Sequence, residues 1–159
     1  MIQRTHEDFM REAIRLSVEG MRRNAGGPFG AVIVQEGKII GRGYNAVLTL
    51  NDPTAHAEVM AIRDACKNLS TFKLDQAVLY TSCEPCPMCL SAIYWARIGR
   101  FFYGNDRAQA AAIAFDDALI YNELNLPIHQ RRVLAEQLLA DEAHCAFREW
   151  QQKLDRVAY

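Results

Sequence analysis

Ala77-Val78-Leu79-Tyr80-Thr81-Ser82-Cys83-Glu84-Pro85-Cys86-Pro87-Met88-Cys89 is the stretch from which the fold can be read. Its first four residues are apolar and bounded by polar ones, which predicts a short buried strand over 77–80. Pro85 and Pro87 then suit the first turn of a helix running to about Ala96, because proline lacks an N–H that a first turn cannot pair anyway. Arg100-Phe101-Phe102-Tyr103 reads as the next strand. Strand and helix therefore alternate here, and the rest of the chain can be ordered around this unit.

Upstream, Ala31 to Val34 and Ile39-Ile40 flank Glu36-Gly37-Lys38, which predicts two strands joined by a tight turn. Thr5 with Asp8 resembles a capping box, and Phe9, Ala13, Ile14, Ser17, Val18 and Met21 follow at helical spacing. Asn51-Asp52-Pro53-Thr54 is expected to start a second helix with Ala55, Val59, Ile62 and Cys66 as its buried stripe. Downstream, 106–122 looks helical in part and Arg132 to Ala135 reads as a last strand. Ala143, Phe147, Trp150 and Leu154 mark an amphipathic terminal helix, with helix and tail over about 141–159. The expected fold is a three-layer α/β/α domain over 1–159 with a mixed five-stranded sheet, since the hairpin is antiparallel and later strands are joined through helices.

A chain of 159 residues, 50% of them hydrophobic, suits one domain. Its 18 basic and 19 acidic residues leave a net charge of -1, and the only basic pairs are Arg22-Arg23 and Arg131-Arg132. A protein holding phosphates mainly by charge needs a basic excess or a clustered basic face, so no nucleic-acid partner is expected. Met1 to Glu7 is polar and no apolar run reaches spanning length, which predicts a cytoplasmic protein without a membrane partner. The five cysteines are an odd number, and Cys83, Cys86 and Cys89 fall within seven residues, a pattern suited to metal binding rather than disulfides.

Two motifs carry chemistry: His56-Ala57-Glu58 and, thirty residues on, Pro85-Cys86-Pro87-Met88-Cys89. Together they supply three zinc-ligand side chains and one unliganded carboxylate. Structural zinc is normally closed by four protein ligands, whereas catalytic zinc keeps three and leaves the fourth position for water. Mid-helix, residues two apart point to different sides, so His56 and Glu58 can share a site only around a helix start. Cys86 and Cys89 lie on one face of their helix, in a first turn where the positive end of the dipole lowers thiolate pKa. Two thiolates and a neutral imidazole cancel the charge of a dication, which then acidifies water less than it would among three imidazoles. A nearby base becomes useful, and Glu58 fits that role. A CxxC alone is more often a structural half-site or a redox pair, and an HxE alone is common; the combination at two helix starts points to catalytic zinc. An iron–sulfur motif would need a further cysteine where Ile93 stands. Cys83 reads as a buried neighbour of the site, Cys66 and Cys145 as core residues, and His6, His129 and His144 as surface histidines.

These residues resemble the cytidine deaminase superfamily, whose base deaminases share the HxE and PCxxC pairing, and within it the small bacterial guanine deaminases. The likeness runs through Gly26 to Val34, Asn51 to Glu58, Thr81 to Cys89, Ala92 to Arg97 and Phe115-Asp116-Asp117. It implies zinc on His56, Cys86 and Cys89, one ion per subunit, with Glu58 as main proton shuttle. It implies that Asn45 hydrogen-bonds the purine, that Phe29 stacks on it, and that Ala57 and Trp95 line the pocket. It implies Asp117 as a second carboxylate near the exocyclic amine, and a homodimer in which the carboxy-terminal segment passes to the neighbouring subunit, where Tyr159 closes the site. The activity implied is hydrolysis of guanine to xanthine and ammonia by zinc-activated water.

Read from the residues alone, several roles keep an alternative. Asn45 also suits a turn, Phe29 and Trp95 a core, Asp117 a helix cap or surface acid, with Asp116 competing for the role of second carboxylate, and Tyr159 a frayed terminus. The function has alternatives too: a tRNA adenosine deaminase, a deaminase of another amino-substituted heterocycle, or a zinc-binding module without catalysis.

Overall fold

The computed structural model describes residues 4–159; Met1, Ile2 and Gln3 of the polar start lie outside the described residues. The chain divides into two compact units, Met1–Ala118 and Leu119–Tyr159. In the first, Thr5 caps helix α1 (His6–Arg22) through a reciprocal capping box with Asp8. The buried face of α1 is Phe9, Ala13, Leu16, Ser17 and Gly20, while Ile14 and Met21, expected in that stripe, are exposed. The turn of the face is explained at Gly20, where a Cβ would come within 2.7 Å of the Tyr44 ring. A missing side chain admits the ring, and hydropathy does not register that contact.

Strands β1 (Gly30–Gln35) and β2 (Lys38–Tyr44) form the expected antiparallel hairpin. Glu36 and Gly37 make its two-residue turn with φ of 50° and 73°, both positive as a type I′ turn requires. Strand β3 (Val78–Cys83) pairs antiparallel with β1 and parallel with β4 (Arg100–Asn105), giving a mixed sheet in the order β2-β1-β3-β4. Four helices complete this unit: α2 (Val47–Leu50), α3 (Ala57–Leu69), α4 (Pro87–Trp95) and α5 (Arg107–Ala112). Because successive strand residues face opposite ways, β1 and β3 separate two cores. Ala31, Ile33 and Leu79 pack with Ala57, Ala61, Ala65 and Ile93 on the α3 and α4 side. Val32, Val34 and Tyr80 pack with Phe9, Ala13 and Leu16 on the α1 side. The result is the expected three-layer α/β/α order. Each fully buried Val, Ile or Leu in these cores contributes about 1.5–3 kcal/mol.

Helix α3 begins later than Asn51 to Thr54 suggests. Asn51 takes a left-handed conformation (φ 48°) and the Thr54 N–H and hydroxyl both donate to Asp52 Oδ1, at 2.8 and 2.6 Å. That closes a turn, and the helix starts after His56. Its buried residues are Ala57, Glu58, Ala61 and Ala65; Val59, Ile62 and Cys66 are half-buried at the margin of the core. The small face allows close approach to β2, where a Cβ on Gly41 would lie 2.4 Å from the Ala61 carbonyl oxygen and one on Gly43 2.2 Å from that of Ala57. Those two glycines set how near the sheet the first turn of α3 sits.

The second unit holds most of α6 (Ala118–Leu124) and all of α7 (Ala140–Gln152). Residues 132–135, expected as a fifth strand, form none, so among the described residues the sheet has four strands. Val133 and Leu134 are 80% and 89% exposed, and the Arg132 N–H that a ladder would need donates to the Glu123 carboxylate at 2.6 Å. Helix α7 buries none of its residues; Cys145, expected in a core, is exposed on it, and Leu154 falls beyond its end. Among the described residues no helix is long and apolar enough to cross a membrane.

Candidate active site

Two helix starts meet on the α3 and α4 side of the sheet. His56 is the N-cap of α3 and Cys86 the N-cap of α4, with Pro87 opening the helix and Cys89 in its first turn. His56 Nδ1 lies 3.5 Å from the sulfur of Cys86 and 3.5 Å from that of Cys89. The three donor atoms all fall within 4.8 Å of one another. Zinc bonds of about 2.3 Å to sulfur and 2.0–2.1 Å to nitrogen, set at a tetrahedral angle, put such donors roughly 3.6 Å apart. The spacing and the S, S, N donor set therefore fit zinc.

The thiols divide one proton between them. Cys86 is pushed down to about 4, chiefly because it accepts a hydrogen bond from Cys89, with His56 adding to the effect against the cost of burial. Cys89 is pushed up, because it supplies that proton and is itself buried. The thiolate therefore rests on Cys86, whereas Cys89, where the helix start was expected to favour a thiolate as well, is held as the thiol that donates to it. His56 is raised above its ordinary value, first by its hydrogen bond with Cys86. Cys83 stands apart from the group: its thiol points to the Asp106 carbonyl at 3.9 Å and is pushed up to about 11, first by burial and then by the carboxylates of Glu58, Glu84 and Asp117. With Cys83 held as a thiol elsewhere, the described residues offer three ligands and no fourth.

Glu58 is 6% exposed, on the second residue of α3 and outside the ligand group. Burial raises its pKa; opposing the rise are its own backbone N–H, then the Cys89 thiol, and then the Thr81 hydroxyl, 3.0 Å from Oε1. Ala57 beside it is fully buried with its methyl group in the core. What Ala57 can offer a ligand is a backbone N–H at the helix start, where no intrahelical partner exists.

Asn45, at the end of β2, is 5% exposed and uses Oδ1 to accept from the Val47 N–H at 3.3 Å, as a turn residue does. Its own N–H donates to the Phe29 carbonyl at 2.9 Å. A Cβ on Gly26 would fall 1.9 Å from Asn45 Oδ1, so the glycine makes the room the carboxamide occupies. Phe29 is half-buried and meets Phe115 edge to face, with ring centroids 4.9 Å apart. Asp116 caps the next helix, accepting from the Ala118 N–H at 2.8 Å, whereas Asp117 pairs with Arg107 at 3.2 Å. Trp95 is 63% exposed and ends α4, the helix that Cys86 begins. That is roughly 12 Å along the axis from the ligands, so this chain does not bring Trp95 to them. Tyr159 is 71% exposed in the second unit.

Residues 3–105 match the family described as the cytidine and deoxycytidylate deaminase zinc-binding region. The chain belongs to that family. The deaminase is 49% identical over 154 residues to the guanine deaminase of Bacillus subtilis (strain 168), covering 97% of this chain and 99% of that one. It is 36% identical over 149 residues to the tRNA-specific adenosine deaminase of Aquifex aeolicus (strain VF5), covering 93% and 95%. The X-ray structure of guanine deaminase from Bacillus subtilis superposes with a TM-score of 0.95 at 49% identity, over 98% of this chain and 99% of that chain. Membership makes the chain a zinc-dependent hydrolase, and the His56, Cys86 and Cys89 donors accommodate one ion per chain.

Three contacts around the site were not singled out in the sequence: the Thr81 hydroxyl on Glu58, Arg107 on Asp117, and Phe115 against Phe29. Only Thr81 left a usable signal, a hydroxyl on a strand face whose other members are apolar.

Proposed function

We propose that this deaminase hydrolyses guanine to xanthine and ammonia. The observation that carries the reading is its near full-length similarity to a guanine deaminase in both sequence and structure. When held by His56, Cys86 and Cys89, zinc supplies a fourth position at which water is acidified. The remaining work falls to the chain. Glu58, buried beside the ligands, takes a proton from the attacking water and gives it to a ring nitrogen of the base. The water oxygen bonds to C2, the bond from C2 to the exocyclic amine breaks, and the amine leaves as ammonia. Asp117, held by Arg107, serves as the second carboxylate: it takes the proton of the new C2 hydroxyl as the carbonyl forms and passes it to the departing amine. Asn45 has Oδ1 engaged, which leaves its amide nitrogen to donate to an acceptor on the purine. Phe29 and Phe115 supply an apolar wall against the ring.

Purified zinc-loaded protein incubated with guanine, cytosine, cytidine and adenine tests the assignment: guanine is consumed and xanthine and ammonia appear. Guanine left intact while another base is converted would remove it. The tRNA alternative is checked in the same preparation by gel shift at moderate salt, where no retention of tRNA is expected from a chain with a net charge of -1.

We further propose a cytoplasmic homodimer in which the segment ending in Tyr159 covers the partner's site. Support comes from α7, whose Phe147 and Trp150 are exposed within the second unit, along with Val157 and Tyr159 beyond it. Deleting Val157 to Tyr159 is expected to lower kcat/KM by about tenfold or more, the scale of a lost pocket contact. Wild-type rates from the truncated protein would refute the tail's role.

A further inference from the structure

The buried residues that β1 and β3 place on the zinc-ligand side of the sheet are apolar except at one position. Ala31, Ile33 and Leu79 are fully buried there, with Ala57, Ala61 and Ala65 of α3 packed above them. Thr81, two residues beyond Leu79 on the same face, is also 0% exposed and brings a hydroxyl into that surface. A β-branched residue suits the strand, and valine would have served packing equally well. The hydroxyl is what needs a reason, since a polar group so buried is tolerated only with a partner. Its partner is Oε1 of Glu58, at 3.0 Å across 23 residues of sequence. Small residues leave it room: Thr81 stands opposite Ala31 on β1, and Ala57 precedes Glu58 on α3.

We infer that Thr81 is the positioning residue for Glu58, its hydroxyl fixing which way the buried carboxylate faces beside the zinc ligands. A threonine hydroxyl can both donate and accept. It donates to Glu58 while the carboxylate is ionised, and it can turn to keep contact once Glu58 has taken a proton. Thr81 itself touches neither the base nor the ligands in this role; it acts through Glu58. The backbone of β3 provides the stiffness, because Thr81 lies on an interior strand paired on both sides, with Ala31 and with Tyr103. A carboxylate on the first turn of a helix has several rotamers available, and a donor anchored in the sheet selects one.

The inference rests on the reading of Glu58 as proton shuttle. Its test compares zinc-loaded wild type, Thr81→Val and Thr81→Ser by zinc content, steady-state kinetics on guanine and crystal structure. Valine keeps the shape and removes the donor, so kcat is expected to fall roughly 10- to 100-fold with KM and zinc content unchanged. Serine keeps the donor and is expected to restore most of the rate. In crystals of Thr81→Val, the Glu58 carboxylate turns away from its wild-type orientation. A valine variant with wild-type kcat, or a serine variant as slow as valine, would overturn the inference. If wild-type protein leaves guanine untouched, the functional reading falls instead, and the crystals still decide: a Glu58 that does not move in Thr81→Val removes the positioning role.

Discussion

Glu58→Gln is expected to retain one zinc per chain while turnover falls by roughly 10²- to 10⁴-fold, the contribution of a positioned acid–base group. The variant isolates proton transfer because little else changes. Glutamine has nearly the same shape, and its carbonyl oxygen can still accept from the Thr81 hydroxyl that now contacts Oε1 at 3.0 Å. The ligand group of His56, Cys86 and Cys89 does not include Glu58, so metal retention is not at stake. What is lost is a basic oxygen that can take a proton and return it. Burial makes the loss severe, because at 6% exposure bulk water has little access to replace the carboxylate. Metal analysis alongside the rate on guanine checks the expectation. Undiminished turnover would end the role of Glu58, and loss of zinc would make it a ligand instead of a base.

The parts of this molecule that were legible in the sequence are those where chemistry demands particular residues. Pro85, Pro87 and the cysteine spacing announce the start of α4, whereas Asn51 to Thr54 point to a start for α3 ahead of its true one after His56. Glu36-Gly37 announces the hairpin, since few residue pairs accept two positive φ angles. The misread parts depend on packing between distant segments. The inward face of α1 is turned by the Tyr44 ring against Gly20, and the close seat of α3 on the sheet depends on Gly41 and Gly43; hydropathy assigns no value to a missing side chain. Residues 132–135 carry two adjacent apolar residues, but a strand also needs a free backbone N–H row, and the Glu123 carboxylate takes the one at Arg132. Within the site the ligands were legible and the groups that aim the carboxylates were not. Thr81 is 23 residues from Glu58, and Arg107 is 10 from Asp117, at spacings that no local rule connects.

Cys86→Ser is expected to abolish zinc binding and activity together while leaving the fold intact, the complement of Glu58→Gln. Cys86 occupies the N-cap of α4, with extended backbone angles (φ -66°, ψ 168°), and serine is among the preferred residues at that position. The helix therefore has no reason to unwind. Ligation is another matter: the Cys86 thiol is pushed down to about 4, so at neutral pH the site presents a thiolate, whereas a serine hydroxyl stays protonated and binds zinc weakly. With one of three ligands gone, zinc affinity should drop by more than the roughly 10- to 100-fold typical of losing a ligand's hydrogen-bonding support. Thermal melting separates this from misfolding. A ligand that binds only the native state stabilises it by about 2.7 kcal/mol at a hundred times its dissociation constant, so zinc should raise the melting temperature of wild type and leave that of Cys86→Ser where it was. The two metal-free proteins should melt together. A serine variant that holds a full equivalent of zinc through dialysis would show that Cys86 is not a ligand, and the three-ligand site would have to be redrawn around Cys83.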